Sequence, residues 1–232
     1  MRFAIFGDIH ANLEALQAVL AEVDKRGADA IACLGDVVGY GADPQACVDL
    51  VRERCTYVVK GNHDEGVVQG GEGYLPPDGV AAAIHNQRNL DAESLAWLDT
   101  LPYMETIETA TLVHATPEAP HLWLRASEFG VAQRQFEHFS TPVCMVGHLH
   151  IPAVVGQRLG QMRVRPGGRF FIVVGAAGQP RDNNPRANVA FFDTEAITYD
   201  PVRVPYRTDE AARKIIAAGL PARLAERLKT GT

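Results

Sequence analysis

Short apolar runs alternate with longer amphipathic segments through the first quarter of the chain. Phe3 to Phe6, Ala30 to Leu34 and Tyr57 to Val59 read as strands, while Leu13 to Lys25 and Pro44 to Arg52 repeat apolar residues at helical spacing. This predicts a β-α-β-α-β opening, which favours parallel strands joined by helical crossovers. In an open α/β sheet the chemistry gathers in loops at the carboxyl ends of strands. Asp8, Asp36 and Asn62 fall at such places.

Between Gly66 and Gly79 the composition shifts to Gly, Pro and acidic residues, and Val80 to Asn89 and Ala92 to Thr100 then read as two helices. From Tyr103 strands dominate: Met104 to Ile107, Thr111 to Val113, Val143 to Val146, Ala153 to Val155, Phe170 to Val174 and Val189 to Phe192. Ser127 to Phe139 interrupts them as a helix candidate, and Thr208 to Lys229 reads as a helical pair broken at Gly219-Leu220-Pro221. The expectation is one α/β (α+β) domain over residues 1–232, with a helical excursion at about 66–102 and a C-terminal helical pair at about 208–229.

Composition narrows the function classes. The 232 residues are 47% apolar and 22% charged, the balance of an ordinary globular protein. A net charge of −6 with scattered basic residues lacks the footprint of a dedicated nucleic-acid binder. Neither a leader-like h-region nor a membrane-length apolar run stands out, so the expectation is a cytoplasmic protein without membrane association. Cys33, Cys47, Cys55 and Cys144 lack C-x-x-C spacing and read as reduced thiols. Nothing in the pattern specifies an oligomeric state.

The candidate chemistry lies just past the apolar runs, in Asp8-Ile9-His10, Gly35-Asp36, Gly61-Asn62-His63-Asp64, His114 and Gly147-His148-Leu149-His150. Taken singly, Asp8 reads equally well as a helix cap and Asp36 and Asn62 as turn residues. Five of the eight histidines nevertheless share this topological edge. Imidazole, carboxylate and amide oxygen without thiolate suit Mn, Fe, Ni, Co or Zn, and the candidates outnumber the ligands one ion needs. Two ions sharing a carboxylate is the natural solution, an arrangement suited to phosphoryl displacement.

As an ordered set these motifs resemble the calcineurin-like metallophosphoesterase superfamily. Gly39-Tyr40-Gly41-Ala42-Asp43-Pro44, Trp97 to Pro102 and Gly178-Gln179-Pro180-Arg181-Asp182 resemble its small bacterial and archaeal branch. The resemblance implies a four-layer αββα sandwich, with two mixed sheets flanked by helices. It implies that Asp8, His10, Asp36 and His150 hold one divalent ion and that Asp36, Asn62, His114 and His148 hold another, with manganese favoured. A hydroxide bridging the ions would then attack phosphorus, and His63 would stabilise the phosphoryl charge and protonate the leaving alkoxide.

The departures from the family bear on substrate. Gly39 and Tyr40 stand where the protein-phosphatase branch has Asp-Arg, which argues against phosphoproteins and leaves open what orients His63. His114-Ala115 replaces His-Gly, and Val174-Gly175-Ala176-Ala177 replaces Asn-Pro-Gly-Ser. Tyr40, His121 and Arg181 are the substrate-binding candidates, although His121 could equally cover the core and Arg181 could pair with Asp182 or Asp193. The expected activity is hydrolysis of small phosphodiesters or phosphomonoesters. A nuclease with the same centre and a non-catalytic metal-binding scaffold are the alternatives.

Overall fold

The computed structural model describes residues 1–71, 75–161 and 163–232, so Glu72 to Tyr74, within the helical excursion, and Met162 lie outside the described residues. Three parallel strands, β1 (Arg2–Phe6), β2 (Ala30–Cys33) and β3 (Tyr57–Val58), open the first sheet, with helices α1 (Leu13–Arg26) and α2 (Pro44–Arg54) as crossovers. Asn12 sets the start of α1 by accepting a hydrogen bond from Ala15 N, and Lys25 and Arg26 favour the dipole at its other end.

The second sheet has the order β4 (Met104–Ile107), β5 (Ala110–Val113), β6 (Val143–Val146), β8 (Phe170–Val173), β7 (Ala153–Gly156), with parallel and antiparallel pairs mixed. The later half of the chain is not confined to it. β9 (Ala187–Asp193) returns to lie antiparallel beside β1, and β10 (Thr198–Val204) forms the edge, giving the order β10-β9-β1-β2-β3. β10 is unforeseen in the sequence because Pro201 and its polar neighbours resemble a loop. A prolyl residue is tolerated on an edge strand, where no partner awaits its missing N–H.

Alternation along the strands builds the layers. Phe3 and Ile5 point between the sheets, where they meet Leu112, Met145, Phe170 and Ile172. Their neighbours Ala4 and Phe6 point the other way, toward Leu16 and Val19 of α1 and Val48 and Val51 of α2. On the far side, Val113, Cys144, Val146 and Phe171 are covered by Ala132, Phe136 and Phe139. Each buried Phe, Leu or Ile side chain contributes about 1.5–3 kcal/mol, so this two-faced burial fixes the strand register. The result is an α/β sandwich of two mixed five-stranded sheets with helices on both outer faces.

The helix expected at Ser127 to Phe139 is shorter: α6 (Phe129–Arg134) runs into a 3₁₀ turn at Gln135–Glu137. There the buried Gln135 side chain hydrogen-bonds Glu118 and the Val131 carbonyl. α3 (Asn62–Val68), α4 (Pro77–Arg88) and α5 (Ala92–Thr100) stand beside the strand ends. α7 (Thr208–Ala217) and α8 (Ala222–Thr230) pack their apolar faces on Tyr40 and Ala82. No helix among the described residues is long and apolar enough to cross a membrane. All four cysteines are free.

Candidate metal centre

The loops that leave β1, β2 and β6 turn sharply at their polar residues. Asp8, His10, Asp36, His148 and His150 all have left-handed backbones, with φ between 51° and 61°. For non-glycine residues this costs of order 1 kcal/mol each, so the strain is concentrated where the side chains converge. Gly147 permits a close approach: a Cβ there would lie 2.5 Å from Asp8 Oδ2. Without one, the Asp8 carboxylate accepts the His148 N–H at 3.0 Å.

Four ligand-type atoms, one each from Asp8, His10, Asp36 and His150, lie within 4.8 Å of one another, and all four residues are buried. Their hydrogen bonds show what this arrangement fits. His10 Nδ1 donates to the Val38 carbonyl at 3.2 Å, and His150 Nδ1 donates to the Gln179 carbonyl at 2.6 Å. A carbonyl can only accept, so in each neutral ring the free lone pair is on Nε2. Those two Nε2 atoms face each other at 3.1 Å. Burial first, and the neighbouring positive groups after it, lower both pKa values, so neither ring readily takes a proton to relieve the repulsion. Facing lone pairs beside Asp8 Oδ1, 3.3 Å from His150 Nε2, fit a cation.

A second constellation adjoins the first. His114 Nδ1 donates to the Leu34 carbonyl at 2.7 Å, turning Nε2 toward Asn62 Oδ1 at 3.1 Å and Asp36 Oδ2 at 3.3 Å. His148 Nδ1 lies 3.0 Å from the same Asn62 oxygen. Asp36 Oδ2 is also 3.6 Å from His10 Nε2, so this one oxygen touches both groups. Burial alone would raise the Asp36 pKa, but His114, His63 and His10 outweigh it and hold the carboxyl well below its usual range. The opposite balance acts on His114: burial disfavours its charge, yet Asp36 and Asp8 push its pKa up to about 9.

Asp64 and Asn86 hold the loops in place, and sequence reasoning assigned neither a role. The buried Asp64 carboxylate accepts the N–H groups of Asp36, Val37, Val38 and Gly61 at 2.8–3.2 Å, tying the loop after β2 to the start of α3. The Gly61-Asn62-His63-Asp64 motif carried that signal, but its bonding partners are distant in sequence. From α4, Asn86 accepts the Gly39 N–H at 2.6 Å and donates to the Gly41 carbonyl at 3.0 Å, pinning the turn that carries Tyr40.

His63 stands beside both groups and is held by packing. Its backbone N–H donates to Asp36 Oδ1 at 2.7 Å. Its ring lies against Tyr40, with centroids 4.3 Å apart, and edge-on to His10 at 4.8 Å. Gly39 makes room underneath, since a Cβ there would fall 2.4 Å from His63 Nδ1. Tyr40 thus supports the ring in place of the Asp-Arg pair of the phosphatase branch. Nδ1 is buried without a partner among the described residues, and burial pushes the ring pKa down to about 4.

The remaining sequence candidates separate. Arg181 does not pair with Asp182, which binds Arg203 instead, or with Asp193, which accepts the Glu195 and Ala196 N–H groups. Its guanidinium donates to Gln179 Oε1 at 2.7 Å and lies over the Tyr40 ring at 5.6 Å. His121 is exposed and lies 6.3 Å from the Tyr103 ring, outside the ligand group. Trp123 comes closer, edge-on to His114 at 5.9 Å, with its indole N–H donating to Glu65 at 3.1 Å.

Comparison with known proteins places the chain in a family. A profile of the Calcineurin-like phosphoesterase superfamily domain matches residues 1–196. An uncharacterized protein of Methanocaldococcus jannaschii, MJ0912, is 36% identical over 98% of this chain and 97% of its own. The crystal structure of a metallophosphoesterase from Sphaerobacter thermophilus superimposes with a TM-score of 0.88 at 36% identity, covering 100% of this chain and 99% of that one. A hypothetical protein of Pyrococcus horikoshii, PH1004, shares the fold with a TM-score of 0.82 at 17% identity, covering 100% and 98%.

Proposed function

The chain belongs to the calcineurin-like phosphoesterase superfamily, and from that premise we propose that it hydrolyses small phosphoesters at a centre of two divalent ions. The observation that carries the reading is the pair of facing Nε2 lone pairs of His10 and His150 with Asp36 Oδ2 between them and His114. Asp8, His10, Asp36 and His150 would hold one ion, and Asp36, Asn62, His114 and His148 the other. The nitrogen and oxygen donors without thiolate suit Mn, Fe, Ni, Co or Zn, and the family resemblance favours manganese among them. When bound, such ions polarise phosphoryl oxygens and lower the pKa of water enough for it to attack near neutral pH.

The chain's own groups do the rest. Val38, Leu34 and Gln179 orient the rings of His10, His114 and His150 through their carbonyls, so His10 and His150 present Nε2 lone pairs directly and His114 would do so on giving up its proton. With its pKa pushed down to about 4 by burial, His63 is neutral at pH 7. The charge of an arriving phosphoryl group would raise its proton affinity, allowing it to hydrogen-bond the phosphoryl oxygen and give a proton to the leaving alkoxide. Tyr40 would wall the pocket and keep that ring in position.

The test is direct. Protein stripped of metal and reloaded with Mn, Co, Ni or Zn should hydrolyse an aryl phosphate or a bis-aryl phosphate. Absence of turnover with every ion between about pH 6 and 9 would refute the proposal. Cleavage of DNA or RNA at rates comparable with the aryl ester would favour a nuclease instead.

A further inference from the structure

Helix α8 lies beyond the residues matched by the family profile, yet it is fastened to the mouth of the candidate centre. Leu224 and Leu228 are buried in the cluster that contains Tyr40 and Ala82. At its end, the Gly231 carbonyl accepts the Asn183 N–H at 2.8 Å, tying the helix to the loop that carries Arg181. These anchors fix which way α8 faces. Arg223 and Arg227, one helical turn apart, share a face. Tyr40 links α8 to Arg181, which lies over its ring.

Among the described residues none of these three arginines forms an ion pair, whereas Arg26, Arg52, Arg54, Arg203, Arg207 and Lys214 do. Burial and then the charges of Arg181 and Arg223 lower the pKa of Arg227, with Asp78 as the opposing carboxylate. Gln179 supplies an independent sign. Its Oε1 is taken by Arg181, while its Nε2 is buried without an acceptor among the described residues. A buried donor left unpaired costs about 1–3 kcal/mol, which an anionic oxygen beside Arg181 would relieve.

We propose that Arg181, Arg223 and Arg227 form a second anion subsite, and that the substrate is a small molecule carrying a phosphate there in addition to the scissile phosphoester. The inference rests on the phosphoesterase reading for its scissile group, but the subsite is judged by binding. The test uses metal-loaded full-length protein and a panel of matched mono- and bisphosphates of sugars and nucleosides with different phosphate spacings, titrated calorimetrically.

At least one bisphosphate should bind about tenfold or more tightly than its monophosphate partner, since a bidentate arginine contact contributes that much. In the Arg223→Ala/Arg227→Ala double variant the ratio should collapse to within about twofold, and the same collapse should appear in the KM ratio of any pair that is turned over. Alanine keeps helix propensity at both positions, and a melting curve checks the fold. The single Arg227→Gln variant provides a milder second measurement, in which the ratio should fall part of the way.

No preference for any bisphosphate, or a preference that survives in the variants, would overturn the subsite. Tighter binding of a single-stranded oligonucleotide, lost in the same variants, would assign the arginines to a nucleic-acid strand and overturn the small-substrate claim. Failure of all aryl phosphate hydrolysis would refute the phosphoesterase reading alone, because the binding ratio still decides the role of the arginines.

Discussion

His114 has the charge most sensitive to what its neighbours do. Without metal, Asp36 and Asp8 keep its pKa up at about 9 against the effect of burial. A histidine raised in the folded state contributes stability fully below its ordinary value near 6.5, and that contribution is lost as pH rises through the folded value. Metal-free protein should therefore lose stability between about pH 7 and 10, and the Asp36–His114 contact accounts for part of the loss. Ligation by His114 at pH 7 would also displace its proton. Calorimetry in buffers of different ionisation enthalpy should show proton release that declines by about one per chain as pH passes 9; a constant release would contradict ligation by His114. His63→Ala should retain bound metal while turnover falls by about 10²-fold or more, as expected for loss of a positioned acid. Unchanged turnover at full metal content would exclude His63 from the chemistry.

Residue type and position made most ligand candidates legible in the sequence, because each followed an apolar run that had to be a buried strand. The geometry behind them was hidden. Asp64 bonds backbone groups 26 to 28 residues earlier, a relation that no local pattern encodes. The packing of the tilted Tyr40 ring against His63 depends on Gly39 having no side chain, which appears in the sequence only as a missing Asp-Arg.

Among the secondary-structure elements, α4 shows how an insertion can serve a site it does not enter. Asn86 reaches from its buried face to pin Gly39 and Gly41, and thereby the Tyr40 ring. Asn86→Ala should leave a buried N–H and a buried C=O unmet, lowering stability by about 2–4 kcal/mol. It should depress kcat more than metal content; equal turnover per bound metal would show that the turn keeps its shape without Asn86. Asp64→Asn, which alters no proposed ligand, should cost about 2–4 kcal/mol and weaken metal loading, because an amide cannot accept at both ends. Thermal melting and metal analysis of the dialysed variant would measure both effects.

The strands of alternating or fully apolar character were readable from periodicity, and β10 escaped because an edge strand can be polar and contain proline. α3 escaped for a different reason. With seven residues it is too short for a helical period to show, and Asp64 and tertiary contacts set its start.

Across the whole molecule the centre lies where the two sheets meet, and residues from both supply it. β1 and β2 lead into Asp8, His10 and Asp36, while β5 and β6 lead into His114, His148 and His150. An ion joining these donors therefore joins the sheets. Saturating metal at about a thousandfold over Kd would add about 4 kcal/mol. In a chain of this size that corresponds to a rise in Tm of about 8–16 °C over chelator-treated protein. A shift under about 2 °C with a tightly retained ion would mean that the unfolded chain holds the ion nearly as well, so that the joined sheets are not what binds it.

The wide separation of the donors along the chain also has a consequence in time. Asp8 meets the His148 N–H 140 residues later in sequence, and His150 is oriented by the Gln179 carbonyl later still. At a synthesis rate of about 5–20 residues per second, roughly seven to thirty seconds separate the emergence of the first donor from that of the last. The nascent chain thus offers only part of the candidate donor set until the last donor has emerged. The choice of metal passes to whatever exchangeable pool surrounds the finished fold, and the cell's metal economy becomes part of this protein's specificity.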